Sequence, residues 1–207
     1  MKKPVRIVGM LVGAATLITG VSIGATAETG PAPDSGFGHT EVRAGIPVKA
    51  KKFTLSSPDV REGGSIPPAA WANSFGCTGG NQQLRLEWRD APPEARSFAV
   101  SMQDVDASTG SGFWHWMTWD IPATRTSLGN TPQANANAVS GTNDAGTRGY
   151  LGPCPPTGDI NHRYKITVYA LDVPGLDLAA TSTPAVAAFT MSSHVIGYGR
   201  LTATARR

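Results

Sequence analysis

The amino-acid sequence predicts one mainly-β domain, and three observations predict it. Apolar residues recur with a period of two in segment after segment, the mark of half-buried strands. Turn formers are dense between them, with 24 glycines and 16 prolines in 207 residues. Helix start signals are confined to a single place near the C-terminus.

Taken in chain order, residues 1–27 read as a signal peptide. Lys2, Lys3 and Arg6 make a basic start, an apolar run follows over 7–25, and Ala25-Thr26-Ala27 supplies a small-x-small cleavage pattern. Gly9, Gly13, Gly20 and Gly24, with Thr16, Thr19 and Ser22, dilute the run, which argues against a stable transmembrane anchor. No cysteine follows it to carry a lipid. Residues 28–48 are rich in Gly, Pro, Ala and Ser without hydrophobic period, the composition of a flexible lead-in. The folded domain is expected over 49–207, one ordinary domain with room for a core.

Removing the leader changes the charge argument. Eighteen lysines and arginines stand against fifteen aspartates and glutamates, a net charge of +3. Three of the basic residues and none of the acidic ones precede Ala27, which leaves fifteen of each. A neutral mature chain without a basic stripe speaks against nucleic acid as a partner. Cys77 and Cys154 are the only cysteines. In an exported chain they most simply pair, closing a loop worth about 4 kcal/mol in the chain-entropy model. The alternative is two free thiols.

Leu84, Leu86 and Trp88 alternate with Arg85 and Glu87, and Phe98, Val100 and Met102 alternate with Ala99 and Ser101. Residues 113–119 carry aromatics at both parities, which predicts a central strand buried on both faces. Over 164–170, Ile166 and Val168 take one face while Lys165, Thr167 and Tyr169 take the other; 201–205 predicts a last strand. Thr183-Pro184, followed by Ala185, Val186, Ala187, Ala188 and Phe189, predicts a helix over 184–193 with proline at its first position. Long Gly/Pro loops span 108–112 and 141–158. The second, with a cysteine and three prolines, predicts a fixed, functional loop.

Polar residues interrupt this pattern at telling places. Asp104 falls on the same side as Phe98, Val100 and Met102, so its carboxylate must be hydrogen-bonded or sit at a wet rim. His115 lies between Trp114 and Trp116. His162 and Tyr164, two residues apart, share one face of a strand. Each has a bland role open to it, His115 as a satisfied core residue and Asp104 as the cap of a turn with Asp106. Together, two imidazoles, a carboxylate and a phenol supply donors for an anion and a group to orient a histidine.

These segments resemble the phosphatidylethanolamine-binding protein family, in particular its bacterial, Raf-kinase-inhibitor-like branch. The resemblance rests on Phe75-Gly76-Cys77-Thr78-Gly79-Gly80-Asn81, Asp104-Val105-Asp106-Ala107, Phe113-Trp114-His115-Trp116, Ile121-Pro122, Gly149-Tyr150-Leu151-Gly152-Pro153-Cys154-Pro155-Pro156, His162-Arg163-Tyr164 and Tyr169-Ala170-Leu171-Asp172, in that order. It implies a β-sandwich with a large central antiparallel sheet, a smaller sheet and a short C-terminal helix. It also implies one pocket for phosphate-like groups and phospholipid head groups. By position, Asp104, His115, His162 and Tyr164 match the pocket side chains, Pro155 and Pro156 match the pair that shapes its rim, and Cys77 and Cys154 match cysteines that bacterial members share. The family's DPDAP motif reads Asp104-Val105-Asp106-Ala107-Ser108 here, so both prolines are missing and the wall they stiffen is expected to differ. Gln82-Gln83-Leu84-Arg85 replaces the Ser-Pro usual after Asn81.

The function expected is that of an exported binding protein, periplasmic or secreted, with a phosphate-like or phospholipid head-group ligand and a protein target it modulates. The competing readings are a hydrolase using the Asp/His pocket, and a secreted protease inhibitor in which the pocket is unused. Outside the leader no Gly-x-Ser-x-Gly elbow occurs, and no His-Glu-x-x-His motif occurs anywhere, so no catalytic residue, metal or cofactor is assigned; the oligomeric state is left open. Intact-mass measurement of the exported protein is expected to find Glu28 as its first residue. A membrane-retained species still carrying 1–27 would contradict the signal-peptide reading.

Overall fold

The alternation of side chains across each strand decides which layer it faces, and the computed structural model shows this for residues 45–131 and 135–207, the residues it describes. The expected signal peptide and residues 28–44 of the lead-in lie outside the described residues. In chain order the elements are β1 (Lys51–Lys52), β2 (Thr54–Ser56), a 3-10 turn (Pro68–Ala70), β3 (Leu86–Arg89), β4 (Ser97–Asp104), β5 (Phe113–Pro122), β6 (Ser127–Leu128), β7 (Val139–Ser140), β8 (His162–Leu171), α1 (Pro184–Ser192) and β9 (Val195–Ala205). Among the described residues, no helix is long and apolar enough to cross a membrane.

Six strands form a large sheet in the order β1-β9-β8-β4-β5-β7, and β2-β3-β6 form a small one. The large sheet is antiparallel except where β1 joins β9 in parallel, so it is mixed rather than purely antiparallel. Its inner face carries Phe98, Val100, Met102, Trp116, Ile166, Val168 and Leu201, packed with Leu86 and Trp88 of the small sheet. The outer face carries Ala99, Met117, Trp119, Tyr169 and Leu171 against Ala187 and Met191 of α1. Two apolar layers thus explain why β5 is aromatic at both parities. It is not central, however: its far edge meets only the two residues of β7.

The helix starts where its signals place it, with the Thr183 side chain accepting from the Val186 amide and Pro184 in the first turn. Strand β9 begins six residues before the expected 201. Glycines at 197 and 199 hide its alternation from the sequence, and packing explains them: a Cβ on Gly197 would stand 2.7 Å from the Pro92 ring and one on Gly199 2.9 Å from Leu55. The short strands β1, β2, β6 and β7 have too few residues to show a period.

Ile166 is fully buried between the sheets, whereas Phe189 on α1 is exposed. Ile166→Ala is therefore expected to cost about 2–5 kcal/mol, and Phe189→Ser to stay within about 0.5 kcal/mol, measured by urea denaturation. Equal losses would contradict this assignment of the core.

Candidate functional site

The inner face of the large sheet runs out of apolar residues at the end of β4. Asp104 stands there in register with Phe113 on β5 and Tyr164 on β8, and it is 3% exposed. Its charge is compensated locally. Oδ1 accepts from the amides of Asp106 (3.0 Å) and Ala107 (3.1 Å), and Oδ2 accepts from His162 Nδ1 at 2.7 Å. Asp104 therefore caps a turn and orients a histidine at once. The missing prolines have a local substitute: Val105 donates its amide to the Arg163 carbonyl, a bond proline could not make. The Arg163 guanidinium and amide in turn clamp Asp106.

His115 reaches the same side by a break in alternation. Met102 pairs with Trp116 and Gln103 with Trp114, so His115 is the extra residue of a β-bulge, a device that re-aims a side chain. Its ring packs against Phe113 and Tyr164, with centroids 4.9 and 5.3 Å away. Nδ1 lies 3.0 Å from the Leu151 carbonyl. A carbonyl can only accept, so Nδ1 carries the proton, and Nε2 is the nitrogen left for a ligand.

The loop after Gly149 forms the opposing wall. Leu151 brackets His115, accepting from its ring and donating an amide to its carbonyl. Gly152 donates to Asn81 Oδ1 (2.8 Å) and Pro153 accepts from Ala72. The two backbones are so close that a Cβ on Gly152 would stand 2.1 Å from the Ala70 carbonyl oxygen, which excludes any side chain there. The Cys77–Cys154 disulfide joins the same two segments, with Cα atoms 5.9 Å apart.

Between these walls lies a cavity of about 420 Å³. Asp104, His115, Pro155, Pro156, His162 and Tyr164, the six residues singled out in the sequence, all line it. So do Phe75, Phe113, Ser108 and Asp144, which sequence reasoning did not assign to a ligand site. Asp144 could have been found as the acidic residue of the 141–158 loop; its Oδ2 accepts from the Trp114 amide. Phe75, at a positive φ of 55° and 67% exposed, carried no periodic signal. Asp159 was also missed. Its Oδ2 lies 3.2 Å from His162 Nε2, placing His162 between two carboxylates.

The two histidines are pushed in opposite directions. Burial pulls His115 below the ordinary imidazole value of about 6.5, against the pull of the Leu151 carbonyl and the Asp104 charge. Burial also works against charge on His162, but its bonds to Asp104 and Asp159 outweigh it and raise the pKa. Burial, with the Asp104 charge beside it, raises the Tyr164 phenol, which stays protonated. That hydroxyl is fully buried; it lies beside the Asp104 carboxylate but makes no hydrogen bond of normal geometry among the described residues. Both His162 ring nitrogens face carboxylates, and no three His, Cys, Asp or Glu side chains converge for a metal among the described residues.

Residues 56–206 match the family model described as phosphatidylethanolamine-binding protein. The UPF0098 protein YbcL of Escherichia coli is 34% identical over 161 residues, covering 75% of this chain and 88% of its own length. A UPF0098 protein of Methanothermobacter thermautotrophicus is 40% identical over 160 residues, 75% of this chain and 99% of its own. A putative lipoprotein of Mycobacterium tuberculosis, LppC, is 34% identical over 168 residues, 80% of this chain and 78% of its own. Among solved structures, the crystal structure of Escherichia coli YbcL, described as a new member of the mammalian PEBP family, superposes with a TM-score of 0.72 at 34% identity, covering 75% of this chain and 98% of that one.

A pH titration followed by NMR is expected to find His162 titrating above 6.5 and His115 below it. By linkage, the His162 pairing stabilises the fold fully below about pH 6.5 and is lost as pH rises through its raised value. Burial of His115 destabilises as pH falls below about 6.5 towards its lowered value. The reverse order of the two midpoints would overturn this assignment of charge.

Proposed function

Because the chain belongs to the phosphatidylethanolamine-binding protein family, we propose that it is an exported, non-catalytic binding protein whose cavity takes a phosphate-like anion, such as a phospholipid head group, and that it modulates a protein target. The observation that carries this reading is the Tyr164 hydroxyl. A buried hydroxyl without a well-formed hydrogen bond costs about 1–3 kcal/mol, and Tyr164 lines the cavity with its ring against His115. A ligand oxygen accepting from Tyr164 removes that cost. If His115 charges, its Nε2 becomes a second donor to the same anion.

Exposure at the mouth favours a lipid-borne head group over free phosphate. Phe75 on the rim and Ile160 in the loop leading to His162 are both largely exposed, and Pro156 is exposed between them in sequence. The hydrolase reading has less support. Ser108 lines the cavity, but no hydrogen bond joins it to either histidine among the described residues, and both ring nitrogens of His162 already face carboxylates. Export is supported by the N-terminal pattern of the sequence and by the relative described as a putative lipoprotein.

Calorimetric titration with phosphate and phosphorylethanolamine is expected to give saturable binding that His115→Ala abolishes. Tyr164→Phe is expected to weaken binding about ten- to a hundredfold, the worth of a hydrogen bond to a charged group. With sulfate, whose charge is constant from pH 5 to 8, binding should tighten towards pH 5 as His115 charges. Absence of binding by the wild type would withdraw the anion reading and leave a protein-interaction role.

A further inference from the structure

His162 can offer a ligand only one of its two ring nitrogens. Nδ1 is committed to Asp104 at 2.7 Å within a buried pair. The other, Nε2, already faces Asp159 Oδ2 at 3.2 Å. An anion held by His162 must therefore displace a carboxylate that the protein itself supplies.

The two carboxylates are not equally held. The Asp104 side chain is 4% exposed and bonded to three donors, whereas that of Asp159 is 39% exposed and makes the longer bond to the ring. The Asp159 backbone is anchored without that bond. Its amide donates to the Pro156 carbonyl and its carbonyl accepts from Arg206 Nε at 3.1 Å. The neighbouring Gly158 amide donates to the Arg207 carbonyl. The carboxylate has one other bond, from the Ile160 amide to Oδ1 at 2.8 Å. Swinging Oδ2 off the ring uncovers Nε2 without breaking the backbone bonds that anchor the loop, and the released oxygen gains water rather than a buried site.

We propose that Asp159 is an internal competitor for the anion site, seated on His162 Nε2 in the free protein and displaced from it by a phosphate-like ligand. This rests on the reading of the cavity as an anion pocket. It also sets selectivity. A carboxylate ligand exchanges one carboxylate for another at Nε2 and gains little. A tetrahedral phosphate can take Nε2 while its other oxygens reach Tyr164 and His115.

The test is calorimetric titration of inorganic phosphate at pH 7 into the wild type, Asp159→Asn and Asp144→Asn. Asp159→Asn is expected to bind about tenfold tighter or more, the scale of one charge-assisted hydrogen bond regained. Asp144→Asn removes the same formal charge from the cavity wall without freeing His162, and should change affinity about threefold or less. In the wild type, the His162 Nε2 resonance should move on adding phosphate to the position it holds in phosphate-loaded Asp159→Asn. Unchanged or weaker binding by Asp159→Asn, or equal tightening by both variants, overturns the competitor and leaves the anion pocket standing. If none of the three proteins binds phosphate, the pocket reading fails and takes this inference with it.

Discussion

Asp104 ends a strand whose other inward side chains are Phe98, Val100 and Met102, and a carboxylate in that position costs several kcal/mol unless its lone pairs are met. The donors that meet it come from two segments, the 105–107 turn and the first residue of β8. Satisfying one buried charge therefore closes the turn after β4 and fixes the ring of His162, and the strand register then sets Tyr164 directly across from Asp104. On the opposite face of the same strand pair, Arg163 clamps Asp106 and holds the turn from outside. Much of the cavity's floor follows from this one requirement.

The same requirement divides the two histidines. His162 is bracketed by carboxylates, which favour its charged form; His115 is bracketed by a carbonyl and two rings, and its burial disfavours charge. Identical side chains in one cavity are thus pushed towards different chemistry. With Asp104 and Asp144 also on the walls, the cavity is not a simple positive hole. On the proposed reading, recognition of an anion here would depend on short, directed donors rather than on long-range attraction.

How much of this was legible follows from what each signal physically is. The alternation of 98, 100 and 102 and of 164, 166 and 168 exposes the faces of β4 and β8 directly, because one face is buried by apolar side chains. Asp104 was legible for the same reason, as a polar residue on the wrong face. The bulge at His115 was not: it is defined by pairing to β4, and a strand's own sequence does not record its partner's register. Strand β9 was half hidden because close packing demands glycine where a pattern would show a side chain. Asp159 escaped because an acidic residue in a loop looks like any solvated charge until its partner is known. The six lining residues were gathered by family resemblance as much as by pattern, since they come from three strands and a loop far apart in the chain.

If the cavity holds an anion, as proposed, its walls also bear on what it could do to one. Its wall is set by backbone contacts that admit no side chain at Gly152 and by the disulfide from Cys77 to Cys154, so the donors are placed before a ligand arrives. Catalysis of hydrolysis needs, in addition, a base beside a nucleophile. Both ring nitrogens of His162 face carboxylates, and among the described residues Ser108 is bonded to neither histidine. The His115 ring packs against two aromatic rings, and among the described residues no hydroxyl is hydrogen-bonded to it. Among the described residues the cavity thus presents preplaced polar groups and no hydroxyl hydrogen-bonded to a histidine.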